Sequence, residues 1–547
     1  MQCIYYHFMT GKDRIKKTFK LEPTDSIPWV PFVGVHGASL IGVNATEYLH
    51  SADHIVDGIS KAVALYQPDG IPVLFDLQLE AELLGCKLNW AEQNPPAVIS
   101  HPLLEGKSIK DLSVPEKHQG RMPVVIDATR RLRSKYPDLA LYGLIAGPFT
   151  LALHLLGTDI FMKIFEEPAY VTKLFGFCEE VAKRMTNYYI EAGCDVIAVV
   201  DPMTSQIDPV TFETFVSPPM TKIFDHIREK GALSSFFVCG HAQQNIQVMC
   251  GCKPDNISID ENIPLDYVKD IALRHNISFG GNLQLTVVLL MGTPEDAAFN
   301  ALDCIELGGE HGFILAPGCD LPMATPPENL IAVAKLVKDP YEQQIVKAMI
   351  RKNDNLKLLN MRDYGQTDKV IVDIITLDSE SCAPCQYMVE AVKKIAPHFD
   401  GIVEWREHAI KQMAGVTFMA SLMVKNIPTI CIDGKISFVS QIPPKNELIA
   451  AIQKRINEKI KLKIQAKKGE FIVLCKDEEE IKVMKTRINT AFLQTGKTID
   501  VQYVTDHEKL AEYGISQTPT VILKKFTIKS QGKVTSVDVI SEWLKDV

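Results

Sequence analysis

The chain has 547 residues, 46% hydrophobic and 23% charged, a soluble globular profile that predicts three or four folded units. Its net charge of −9 is uneven: residues 341–547 carry 31 Lys and Arg against 26 Asp and Glu, which leaves residues 1–340 at −14. So acidic a first part argues against a nucleic-acid platform, which needs clustered positive charge. No apolar run approaches the ~20 residues of a membrane span, and MQCIYYHFMTGKDRIKKTFK does not read as a secretory signal, so a cytoplasmic location is expected. Thirteen cysteines in such a chain point to metal or redox chemistry at a few positions and to buried thiols at the rest.

From residue 28 to about 335, short β-branched runs alternate with longer amphipathic segments. Strands are expected at 29–35, 71–76, 140–146, 195–201, 235–240, 256–260, 277–283 and 312–318. Eight strands separated by helices predict a (β/α)8 barrel rather than a doubly wound sheet, whose Gly-rich fingerprint is missing. Barrel chemistry sits at the carboxyl ends of strands, which here offer His36, Asp76, Asp201, Cys239, His241, Asp260, Asn282 and Cys319. Cys239 and Cys319 are candidate zinc thiolates, with His241 completing the set or Asp201, Asp260 or Glu261 giving oxygen; two unrelated rim cysteines are the plainer alternative. Asp76 and Asp201 are candidate acid–base or orienting groups, or simply caps of a following helix. His36 and Asn282 are candidate substrate contacts. Glu80 and Glu82 read as helix-surface residues, and Cys250-Gly-Cys252 as a structural turn on the opposite face.

After a polar linker at about 338–368, the order strand, helix, strand, helix, Pro and strand pair occurs twice. The first copy carries Cys382-Ala-Pro-Cys385 at a helix start and Pro428, which is expected to be cis and to face the pair. The second carries Cys475 and Pro519, at a similar spacing: 44 positions against 46. At a helix N-terminus Cys382 would be the attacking thiolate and Cys385 the resolving thiol. Cys475 lacks a partner, since Glu478 stands where one is needed. A basic stretch at 457–468 is expected to separate the copies. The domains are placed at 1–345, 346–457 and 458–547.

DSIPWVPF, DGIPVLFDLQLEAELLGCKL, FFVCG, FGGNL and FILAPGCDLPMATPPENL together make residues 9–340 resemble the uroporphyrinogen decarboxylase superfamily, in its branch of zinc-dependent corrinoid methyltransferases. Residues 369–457 resemble thioredoxin-like disulfide oxidoreductases, and 469–547 a thioredoxin-like domain without the active pair. The resemblance implies a TIM barrel followed by two thioredoxin-like α/β domains. It also implies zinc at Cys239 and Cys319, and methyl transfer between a corrinoid carried by a partner protein and a small, thiol-type acceptor, in an anaerobe. Two departures stand out. The arginines that bind porphyrinogen carboxylates are missing from FVGVHGASLIG, which ranks decarboxylation last. Phe237 replaces the histidine of the branch's His-x-Cys. The Cys382/Cys385 dithiol would keep the acceptor or the zinc cysteines reduced. The second hypothesis is a thiol–disulfide oxidoreductase whose barrel binds the substrate, supplied with electrons by an external thiol reductase.

Overall fold

A computed structural model describes residues 9–348, 364, 369–380, 382–424, 426–466, 470–495, 499–506, 509, 512–514 and 517–524. The chain divides into two compact units, Met1–Lys445 and Asn446–Val547.

In the first unit, strands β1 (Gly70–Pro72), β2 (Ala140–Ala146), β3 (Val196–Val200), β4 (Leu233–Val238), β5 (Asn256–Ile259), β6 (Ser278–Leu283) and β7 (Phe313–Pro317) form a parallel sheet in chain order. Trp29 occupies the eighth position as a single parallel bridge to Leu315. Its carbonyl accepts from Asp69 N at 2.8 Å, and Leu315 N donates to Pro28 O at 2.9 Å, which closes the barrel. The longer strand expected at 29–35 does not form, because Pro28 and Pro31 have no N–H to give to a ladder. Residues such as VIAVV of β3 are buried throughout, as parallel strands covered on both faces must be. Inside the barrel, Phe32, Phe75 and Phe237 pack together, with Phe237 centred 5.0 Å from Phe32 and 5.8 Å from Phe75. The helical stretch Pro148–Glu166 is apolar and long enough to span a membrane, but 67% of it is buried inside the protein, which accounts for its composition.

The same unit continues into a four-stranded sheet of β8 (Val370–Thr376), β9 (Val403–Ala409), β10 (Thr429–Ile432) and β11 (Lys435–Val439), ordered β9-β8-β10-β11. β8 pairs in parallel with β9 and antiparallel with β10, and the Ile427–Pro428 peptide that precedes β10 is cis. This thioredoxin-like module is fastened to the barrel. Gln206 donates to Ser440 O at 2.6 Å and accepts from Ile442 N at 2.9 Å. Gln386 donates to Val98 O at 2.7 Å, and Lys411 bridges Asn94 (3.0 Å) and Asp378 (2.9 Å). Tyr387 is fully buried in the barrel's own hydrophobic core.

The second unit repeats the plan with β12 (Glu470–Leu474), β13 (Asp500–Val504) and β14 (Thr520–Lys524), ordered β13-β12-β14, and a cis Thr518–Pro519 before β14. Residues after Lys524, including the last strand expected there, lie outside the described residues. The stretch expected to separate the copies is largely helix, Lys445–Ala466, since its Lys, Leu, Gln and Ala are good helix formers and it holds no Pro or Gly.

Candidate active site at the barrel mouth

β4 ends at Val238 and β7 at Pro317, so Cys239 and Cys319 emerge on the same rim with their sulfurs 3.0 Å apart. The hydrogen bond between the two sulfurs and burial push the Cys239 thiol well above its ordinary range. Beside them Asp260 accepts from Gly240 N (2.6 Å) and Asn262 Nδ2 (2.7 Å), while Glu261 accepts from Leu285 N (3.0 Å). Burial, reinforced by Glu261, pushes the Asp260 carboxyl up. A Cβ at Gly318 would meet the Glu261 carboxylate and crowd Asp260, so the glycine lets both acids approach the rim.

Opposite the rim stands the helix Ala383–Ile395, with Cys382 as its N-cap residue and Cys385 buried in its first turn. Leu377 N donates to the Cys385 sulfur at 3.3 Å, and burial holds that thiol well above the usual range. A cavity of about 140 Å³ lies between module and barrel. Its walls include Cys239, Cys319 and His241 from the barrel and Cys382, Cys385 and Pro428 from the module. Six of the ten expected site residues thus converge.

The other four do not line this cavity. His36 opens the short helix His36–Ile41 and is fully buried, 2.7 Å from Tyr66 Oη; burial lowers its pKa to about 4. Asp76 is ion-paired with buried Arg121 at 2.7 Å and accepts from Gln78 N. Asp201 accepts from Phe149 N, Thr150 N and Thr150 Oγ1, anchoring the helix Pro148–Leu156; burial raises it to about 6. Asn282 donates to Ile263 O at 2.8 Å and to Asp260 O, fixing the loop that follows β5. Each of the four is held by these contacts away from the cavity wall, and the helix that Asp201 holds precedes it in the chain rather than following it. Glu80 is corrected too: it is buried, accepts from Ala146 N at 3.1 Å, and has its pKa raised to about 8 by desolvation. Cys250 and Cys252 are buried, as a structural role requires, and burial lifts them to about 12 and about 11.

Two charged cavity residues escaped the sequence reading. Asp320, next to Cys319, has its Oδ1 buried without a hydrogen-bond partner, and burial pushes its carboxyl well up. Lys411 arrives from the module. Only the adjacency of Asp320 to Cys319 was visible in the chain.

The two rim sulfurs are the right kind of donor for zinc, but the arrangement does not fit a resident ion. Two thiolates on a tetrahedral zinc, each at about 2.3 Å, stand about 3.8 Å apart. Here they are closer, and among the described residues no three His, Cys, Asp or Glu side chains gather around one point. The expected histidine position is Phe237, committed to the apolar interior. His241 lines the cavity but joins no such group.

A family model described as uroporphyrinogen decarboxylase (URO-D) matches residues 10–340, and one described as a thioredoxin domain matches residues 475–545. The chain is 27% identical over 337 residues to the methylcobamide:CoM methyltransferase MtbA of Methanosarcina acetivorans, covering 60% of this chain and 98% of that protein. It is 26% identical over 301 residues to a uroporphyrinogen decarboxylase of Wolbachia sp. subsp. Brugia malayi, covering 53% and 83%. A solved structure of a methyltransferase from Methanosarcina mazei aligns with a TM-score of 0.56 at 25% identity, covering 61% of this chain and 99% of that one.

Proposed function

Since the chain belongs to the uroporphyrinogen decarboxylase (URO-D) family, we propose that its barrel moves a methyl group between a corrinoid protein and a small thiol, and does not decarboxylate porphyrinogens. The observation that carries this reading is the character of the cavity. Its charged barrel residues are Asp260, Glu261 and Asp320, and among the described residues no arginine lines it. Arg121, which is buried in the barrel, is consumed by Asp76 and Glu82. A substrate with several carboxylates would meet a single cation, Lys411, and no bidentate partner. A compact thiol meets a space of its own size, with Asp320 Oδ1 free to accept its S–H and Cys239 and Cys319 beside it. Transfer gives the acceptor sulfur the methyl group and releases its proton. Similarity to proteins named as methylcobamide:CoM methyltransferases supports the donor class. Zinc has no step in this proposal, because the residues present do not fit it.

The test is thiol-dependent loss of the methyl–cobalt absorbance of methylcobalamin. Transfer by wild type that falls about tenfold or more, at least 1.4 kcal/mol, in Asp320→Asn is expected. No transfer by the reduced wild type, together with carboxyl loss from uroporphyrinogen, would overturn the reading. A thiol–disulfide oxidoreductase is the second reading, favoured by Cys382 and Cys385 opening into the same cavity.

A further inference from the structure

Two cysteine pairs face one cavity, and they come from separate parts of the chain. Cys239 and Cys319 stand at the ends of β4 and β7, 3.0 Å apart, so a closure of about 1 Å reaches the ~2.05 Å of a disulfide bond. Cys382, partly exposed, caps a 13-residue helix; Cys385 is buried behind it, and the cis Pro428 shares the cavity wall. This is the arrangement of an attacking thiol with a resolving thiol. The module is held against the barrel by both polar ends of Gln206, by Gln386 and by buried Tyr387, and Cys382 lines the same cavity as the rim pair.

We propose that the Cys382/Cys385 dithiol reduces a Cys239–Cys319 disulfide within the same chain, making the rim pair the redox substrate of the fused module. The Cys382 thiolate attacks Cys239 Sγ; the Cys382–Cys239 bond forms, the Cys239–Cys319 bond breaks, and Cys319 leaves as a thiolate that takes a proton. Cys385 then attacks Cys382 Sγ, forming the Cys382–Cys385 disulfide and releasing Cys239, which takes the second proton. Two electrons and two protons pass to the rim. A small-molecule disulfide is the oxidant that first closes the rim pair, and an external small dithiol reopens the module. The exchange is independent of methyl transfer and is read without it.

Full-length Cys385→Ser protein, oxidised with glutathione disulfide, isolates the first step. Non-reducing peptide mapping of the monomer is expected to show a Cys382–Cys239 crosslink, absent when Cys239→Ser is added. In wild type, dithiothreitol is expected to reopen the rim disulfide about tenfold or more faster than in Cys382→Ser, because attack from within the chain replaces a bimolecular encounter. A Cys385→Ser protein that keeps its Cys239–Cys319 disulfide and carries only glutathione on Cys382 would overturn the proposal. So would equal reopening rates, or a rim pair that never closes under oxidation.

Discussion

Glu80 provides a direct test of how the barrel is built. Its side chain is 1% exposed, one carboxylate oxygen accepts from Ala146 N and the other has no hydrogen-bond partner. Desolvation, the largest influence, raises its pKa from 4.5 to about 8. The folded state therefore holds a proton that the unfolded chain has given up. Stability is unaffected by this group below about pH 4.5, falls by about 1.4 kcal/mol for each pH unit above it, and stops falling near pH 8. The full displacement corresponds to about 5 kcal/mol. In Glu80→Gln the group cannot ionise, at the cost of placing an unpartnered amide where the acid stood, about 1–3 kcal/mol. The difference in unfolding free energy between mutant and wild type cancels the other titrating groups. It is expected to favour wild type or be near zero at pH 5, and to move in favour of the mutant by about 3–4 kcal/mol by pH 8. Urea denaturation across that range reads it. A difference that does not change with pH would refute the reasoning, whatever its absolute size.

Gln206→Ala removes both hydrogen bonds to Ser440 and Ile442, so the Ile442 amide is expected to lose its protection from hydrogen exchange while amides of β3 keep theirs; unchanged protection would mean the module is held elsewhere. Asp201→Asn replaces a carboxylate that accepts three hydrogen bonds by an amide that must turn its NH2 toward donors, and should cost about 1–3 kcal/mol in thermal or chemical unfolding. Zinc added to the reduced protein is expected to be removed by a mild chelator, since two thiols alone form no complete site; one tightly held zinc per chain, lost in Cys239→Ser/Cys319→Ser, would contradict the geometry.

The barrel was legible because parallel strands covered on both faces become short continuous apolar runs, such as residues 196–200, divided by helical segments. The rim cysteines followed from the rule that strand ends carry the chemistry. The partners of the acids did not follow, because a strand end fixes where a carboxylate is and not what meets it. Thr150 reaches Asp201 from 51 positions away, and Arg121 comes to Asp76 from a separate helix. Glu80 was misread for a related reason. Its helix, Leu79–Leu83, has five residues, too few for an apolar period to reveal which side is buried. Docking of the module was invisible, since it depends on single residues such as Gln206 and Tyr387 that belong to no pattern.

Phe237 connects the two halves of the site. Its ring fills the barrel interior against Phe32 and Phe75 and carries no donor atom. An apolar residue there leaves the rim pair without a third donor, and two thiols without a metal are free to oxidise. Their 3.0 Å separation is that of partners close to bonding, not of ligands spread around an ion. A chain with such a pair gains from a reductant fixed over it, and the module supplies one at the same cavity. On the proposal above, the apolar residue inside the barrel and the dithiol at its mouth are two sides of one arrangement. Phe237→His separates them: if the reasoning holds, it should raise zinc affinity at the rim and, with zinc bound, suppress the Cys382–Cys239 crosslink in the Cys385→Ser background. A crosslink yield indifferent to zinc in that variant would break the connection.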